Sequence, residues 1–389
     1  MTETAPPPTE RSRRWASTMG GHTGGGHTLA HGAHDHPVSL VAPHGRQERE
    51  EVEAATLAAG ATLARGAGNR AIEEEADPLR TCFERDRDRI LHRATAFRRL
   101  AGKTQVFIFP DDHQRTRLTH ALEVAQVATS IARACRLNVA LAEAIALGHD
   151  CGHGPGGHAS EDAFSIYVPG GYDHAVWGAD VVLDPLNLCV ETLDGIRNHS
   201  WSRPAPSTPE GEVVAWADRI AYVCHDFEDA VHAGIVTPTM LPELVRERCG
   251  SRRSQQLGAF IGAVIAGVAE TGRVCMDAAT AEALAAFRAF NYEYIYMRPA
   301  SRQQSVSVVR VLRALVEHFA DRPNTLPLEG LADSPPLRHD VPAGSAEALH
   351  DSVTYVAGMT DRYAFTTAIQ RLAWDPADLP SGVDVSGWR

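Results

Sequence analysis

The chain has 389 residues, 44% of them hydrophobic and 22% charged, with a formal net charge of −12. That length allows one large or two modest domains with a real core, and the acidic balance excludes a protein whose whole surface coats nucleic acid. Seven scattered cysteines, odd in number and without a C-x-x-C spacing, exclude a disulfide framework or a zinc–thiolate site.

Residues 1–48 contain PPP, GGHTGGGH and six histidines (His22, His27, His31, His34, His36, His44) but no apolar periodicity. A disordered His/Gly/Pro-rich arm is expected there, able at most to hold a transition metal loosely. Positive charge is dense next: Arg80, Arg85, Arg87, Arg89, Arg93, Arg98, Arg99, Lys103, Arg115 and Arg117. Such a run could meet phosphates or bind single-stranded nucleic acid weakly, or form a solvated helix face paired with Glu84, Asp86 and Asp88. Lys103 is the sole lysine in the chain, which suits either chance or a position that needs a compact ammonium.

QVFIF at 105–109 is the clearest strand signal. Apolar residues near i, i+3, i+4 and i+7 predict helices over 117–136, 139–149 and 211–234, the last stopped by Gly234, with more over 257–269 and 279–293. Proline-rich breaks fall at 204–209 and 322–343, and a last helical stretch runs over 346–373. The expected fold is all-α, with a core at 49–322 and a Pro-rich link and helical extension at 323–389. No apolar stretch is long enough to span a bilayer and no secretory signal is legible, so no membrane contact and a cytoplasmic location are expected.

The chemistry concentrates in IALGHDCGHGPGGHASED (145–162). An apolar helix ends on His149-Asp150, and glycines with one proline force an irregular turn past His153 to His158, with Glu161 three residues on and on the same face of any helix restarting there. Upstream, His120 sits on its own predicted helix. Downstream, Asp218 sits mid-helix between Ala217 and Ile220, where burying a carboxylate is costly unless it is paired or bound to a metal. Two imidazoles and two carboxylates suit one divalent ion such as Mn or Fe and tolerate Mg. Asp218, Tyr222 and Asp226, each four apart, form one stripe that could run from metal ligand to aromatic floor to polar contact. Arg117 lies three before His120 and should face the same pocket, towards phosphate or base.

The order H…HD…D resembles the signature of HD-domain phosphohydrolases, and the blocks RTCFERDRDRILHRATAFRRLAGKTQVF (81–108), RTRLTHALEVAQVATSIA (115–132), ADRIAYVCHDFEDA (217–230) and AGMTDRYA (357–364) resemble deoxynucleoside triphosphate triphosphohydrolases of the dGTPase type, in that family's order. The resemblance implies hydrolysis of dGTP or several dNTPs to deoxynucleoside and inorganic triphosphate. It implies one Mn, Mg or Fe ion on His120, His149, Asp150 and Asp218. It further implies proton transfer by His158 oriented by Glu161, with His153 as a second acid/base or phosphate contact. His174 and Arg219 would face the phosphates, Tyr222 the sugar, and Asp226 with Gln105 the 3′-hydroxyl. A homo-oligomer, such as a hexamer, and a dNTP effector belong to the same implication. The turn departs from the family at Gly156, where a bulkier residue is usual, leaving room beside His158. Two other readings stay open: an HD phosphohydrolase for nucleoside monophosphates or a signalling nucleotide, and a non-catalytic dNTP sensor or single-strand nucleic-acid binder using residues 80–117.

Overall fold

A computed structural model of the chain describes residues 7–18, 20–31, 42, 44–106, 114–327, 336–380 and 382. Contacts divide it into two units, Met1–His44 and Gly45–Arg389.

The first unit carries more local order than its composition predicts. The Thr9 hydroxyl accepts from Ser12 N and starts helix α1, Glu10–Ser17. Strands β1, His22–Gly24, and β2, His27–Leu29, pair antiparallel with His22 opposite Leu29. Gly25 and Gly26 turn the hairpin at φ +59° and +82°, a region that favours glycine. None of the described side chains here is buried, so caps and turns hold these pieces without a core. Of the six histidines, His34 and His36 lie outside the described residues.

The second unit is helical. It begins with α2 (Arg46–Thr56), α3 (Cys82–His92), α4 (Thr95–Arg99), α5 (Arg117–Ala134) and α6 (Val139–Gly148). Then come three short helices, α7 (His158–Phe164), α8 (His174–Trp177) and α9 (Val190–Arg197), and the long α10 (Pro209–His232). Last are α11 (Glu243–Cys249), α12 (Arg253–Thr271), α13 (Ala278–Asn291), α14 (Pro299–Asp321), α15 (Ala346–Ala357) and α16 (Asp361–Leu372). Side-chain oxygens of Thr116, Asn138, Thr208 and Asp277 accept a backbone N–H and start α5, α6, α10 and α13. Pro209, lacking an N–H, sits in the first turn of α10, where none is needed.

Two apolar clusters fill this unit. The larger joins α3, α5, α6, α10, α12 and α13, with Ile131, Ile145, Val213 and Ile220 fully buried. The second joins α7 to α14, α15 and α16 through Phe164, Leu312, Val353 and Phe365. Each such side chain contributes roughly 1.5–3 kcal/mol by leaving water. The turn 149–158 leaves the first cluster and enters the second, so both cores fix it.

Within this unit the structure departs from the expected strand and from the single last helix, and of the two readings of the arginine run it takes the ion-paired one. Residues 107–109 of the expected strand lie outside the described residues. Gln105 and Val106 form no strand, and pairing nearby is a single bridge between Thr104 and Thr116. The stretch 346–373 is two helices, because Gly358-Met359-Thr360 interrupts it and the Thr360 hydroxyl accepts from Tyr363 N to start α16. The arginine run is largely ion-paired: Arg80 with Asp77 and Asp88, Arg85 and Arg89 with Glu74, Arg87 with Glu143, Arg115 with Glu123, Glu228 and Asp229.

Candidate active site

The four expected metal ligands converge. His149 caps the end of α6, and its ring Nδ1 donates to Ala146 O at 2.7 Å, so Nε2 points away from the helix without a hydrogen-bond partner. That Nε2 lies 3.4 Å from Asp150 Oδ1 and 3.7 Å from Asp218 Oδ1. From α5, His120 Nε2 stands 3.0 Å from Asp218 Oδ1. His120, His149 and Asp150 are buried. A buried imidazole fixed through Nδ1 with Nε2 open beside two carboxylates is the donor set a divalent cation needs. The ligand atoms of His120, His149 and Asp150, and of His149, His199 and Asp218, lie within 4.8 Å of one another.

Charge in this group is finely opposed. Burial works against ionised Asp150, but His149 and Arg117 outweigh it and hold the carboxyl well below its usual range. Asp218 is likewise lowered against burial by its hydrogen bond with His120 and by nearby His149. Both carboxylates therefore stay anionic at neutral pH. Arg117 was expected to reach phosphate or base. Its guanidinium donates to Asp150 Oδ2 at 2.8 Å and to Gln105 O at 3.3 Å, so it braces a carboxylate and also lines the cavity.

Beyond Asp150 stands a second group. His158 Nδ1 lies 3.1 Å from Glu161 Oε2, as the i,i+3 spacing implied, but Glu161 is held more closely by His174, whose ring Nδ1 is 2.6 Å from Oε1 and whose backbone N donates to the same oxygen at 3.0 Å. Glu161 thus orients two imidazoles. The His158 side chain is 74% exposed at the cavity, whereas His153 is buried and stacked on His174 with centroids 3.7 Å apart. Burial and the Arg117 charge push the His153 ring well below its usual range, towards the neutral form. The room expected beside His158 at Gly156 is taken: its φ is +71°, and a Cβ there would come 2.6 Å from Val308 Cγ1 on α14.

The stripe on α10 lines a cavity of about 500 Å³ together with Gln105, Arg117, His120, Asp150, His153, His158, His174 and Arg219. Asp218, Tyr222 and Asp226 face it in order. Asp226 is buried. Its Oδ2 accepts from the Tyr296 hydroxyl at 2.6 Å, while Oδ1 has no partner. Burial pushes this carboxyl up to about 7. The Tyr222 hydroxyl accepts from Arg288 Nε at 2.9 Å, and the Arg219 guanidinium lies 3.5 Å over the Trp201 ring.

Sequence reasoning missed several cavity residues. His199 follows α9 closely, much as His149 follows α6: its Nδ1 donates to Ile196 O at 2.8 Å, and its Nε2 approaches His174 Nε2 at 3.3 Å. The repeated pattern of a helix-ending histidine fixed on the i−3 carbonyl is a signal that was readable in GIRNHS. Trp201, two residues after His199, carries no such signal, and Arg288 and Tyr296 carry none because they reach the cavity from elements far along the chain.

Comparison with known proteins identifies a family. The HD domain family matches residues 117–223, and the phosphohydrolase-associated domain matches 274–370. A deoxyguanosinetriphosphate triphosphohydrolase-like protein of Caldanaerobacter subterraneus subsp. tengcongensis is 41% identical over 326 residues, covering 82% of this chain and 93% of the relative. Proteins of the same description are 38% identical in Clostridium perfringens strain 13, over 75% of this chain and 86% of the relative, and 35% identical in Syntrophus aciditrophicus, over 82% and 94%. With its H…HD…D residues gathered at one centre and a relative 41% identical over most of its length, the chain belongs to the HD-domain phosphohydrolases, among the deoxyguanosinetriphosphate triphosphohydrolase-like proteins.

Proposed function

We propose that the protein hydrolyses deoxynucleoside triphosphates to deoxynucleoside and inorganic triphosphate. The observation that carries this reading is the set of groups on the cavity wall: His120, Asp150 and Asp218, with His149 Nε2 beside the two carboxylates, then, one and two turns along α10 from Asp218, Tyr222 and Asp226, the last with an unpartnered buried oxygen. A substrate whose α-phosphate sits at the first set lays its sugar along the stripe.

In the reaction, water oxygen bonds to the α-phosphorus, the bond from that phosphorus to the 5′-oxygen breaks, and a proton reaches the 5′-oxygen. A divalent ion held by the four ligands would supply Lewis acidity towards the phosphate and acidify a water. His158 would carry the proton, a role supported by its exposure at the cavity and its contact with Glu161. His153, buried and kept neutral, suits a phosphate contact better than an acid. His174 and Arg219 flank the phosphate end. The Tyr222 ring leaves little room for a 2′-hydroxyl, and Asp226 with Gln105 would bind the 3′-hydroxyl. A site built around a hydroxyl rejects analogues that lack it, since its polar groups are left unpaired.

The test is incubation with each dNTP and each rNTP in Mn or Mg, with products resolved. Triphosphate plus deoxynucleoside from dNTPs, with rNTPs and 2′,3′-dideoxy analogues turned over slowly, is the expected result. Monophosphate plus pyrophosphate, or equal rates on GTP and dGTP, would replace this reading with a general HD nucleotidase.

A further inference from the structure

Two buried charged side chains outside the proposed catalytic set tie the turn that carries it to the far end of the chain. Lys103 is 1% exposed. Its ammonium donates to His153 O and, at 2.9 Å, to Ala357 O, the last residue of α15. Asp361, at the start of α16, is also buried. One of its oxygens accepts from Thr104 N at 2.9 Å and Thr104 Oγ1 at 2.6 Å, and the other from Gly156 N at 2.8 Å. The peptide 357–361 is thus fastened twice to the turn 153–156 and twice to Thr104, the neighbour of Gln105. Arg117 joins the same knot, since its backbone N donates to Lys103 O at 3.1 Å. Gly157 packs so closely that a Cβ there would lie 2.6 Å from Arg117 Nη2.

A buried ammonium with two carbonyl partners has no room to trade for a guanidinium, which gives the sole lysine of the chain a physical reason. Burying such charges is expensive, and stability alone would be served as well by apolar residues of similar volume. What the charges add is direction. Carbonyls and amides of the turn are held at fixed points, and the turn has left-handed glycines at 156 and 157 with little rigidity of its own.

We propose that Lys103 and Asp361 are positioning residues: they clasp the 153–157 turn to the α15–α16 junction, so the C-terminal helices set the placement of His153, His158 and Arg117 in the active site. This rests on the proposed hydrolysis. The clasp acts on turnover through geometry, without touching the substrate or the metal ligands.

The test compares Lys103→Met, Asp361→Asn and, as a control, Val311→Ala, which loosens the second core while leaving every hydrogen bond of the clasp in place. Asn keeps the shape of Asp361 but presents an amide N–H to one of the N–H or O–H donors that the carboxylate accepts. Measured for each are kcat and KM for dNTP hydrolysis, bound Mn, melting temperature and amide hydrogen exchange over 150–158. In both clasp variants kcat should fall roughly tenfold or more, the scale on which small misplacements act, with KM and Mn content little changed and exchange at Gly156 and Gly157 faster. Val311→Ala should keep its kcat at an equal or larger loss of melting temperature. The proposal is overturned if the clasp variants turn over like wild type, if the control loses as much kcat at matched melting temperature, or if neither clasp variant folds, since the residues are then structural only. Wild type without dNTP turnover would remove the functional reading instead, and unchanged exchange over 150–158 would then overturn the clasp separately.

Discussion

A carboxylate in the middle of a packed helix has to be explained by its partners. Asp218 lies between the fully buried Ala217 and Ile220 on α10 and takes its partners from two other helices, His120 on α5 and His149 at the end of α6. Asp218→Asn keeps the volume and removes the charge that holds a cation. Bound Mn measured by mass spectrometry should drop far below one per chain, and hydrolysis should fall to background; stoichiometric metal in the variant would remove Asp218 from the ligand set. Asp226, two turns along, behaves oppositely because burial, not pairing, dominates it. With its carboxyl raised from 3.8 to about 7, its contribution to stability is full below pH 4 and is lost as pH rises through about 7, since the folded state must then bury a charge. Asp226→Asn lacks that loss. Its melting temperature relative to wild type should therefore climb between pH 5 and pH 8, and a difference flat with pH would contradict the assignment. The same variant should turn over dNTPs and 2′,3′-dideoxy analogues at more similar rates.

At the scale of elements, the short helix α7 brings the second core to the site. Ala163 and Phe164 are fully buried in that core, while His158 at the first position projects into the cavity. His158→Ala should lower kcat by roughly 10²–10⁴, the usual range for a positioned acid or base, with Mn content unchanged; unaltered turnover would move the proton-transfer role to another cavity histidine. Much of this element was legible. The restart of a helix after the glycine turn, and the pairing of His158 with Glu161, follow from a spacing of three. That Glu161 also grips His174 did not follow, because His174 lies on α8 and chain spacing says nothing about how α7 and α8 meet. The interruption at Gly358-Met359-Thr360 was written in the sequence as a glycine and a capping threonine, yet helical periodicity on both sides masked it.

At the scale of the whole molecule, the charge distribution argues about partners. Six of the arginines at 80–117 that could have met a nucleic-acid backbone, Arg80, Arg85, Arg87, Arg89, Arg115 and Arg117, are spent on Asp77, Asp88, Glu74, Glu123, Glu143, Asp150, Glu228 and Asp229, and Arg98 and Arg99 donate to the carbonyls of His92 and Gly358. Single-stranded DNA binding titrated against salt should accordingly show a log–log slope of magnitude below about 2, against the far steeper dependence of a protein that neutralises 6–10 phosphates; a steep slope would revive the nucleic-acid reading. No helix among the described residues is long and apolar enough to cross a membrane.

The sequence by itself determined the helical class, the position of most long helices and the four residues that meet at one centre. Those depend on short-range rules: apolar spacing, capping residues, and the cost of placing His and Asp where helices are buried. Tertiary structure alone decided what each polar group spends its bonds on. Arg117 braces Asp150 in addition to facing the cavity, and Lys103 and Asp361 join the 153–157 turn to helices some 200 residues away along the chain. Hydrogen bonds of that reach are fixed by how two cores pack around one turn, and no local spacing encodes that packing.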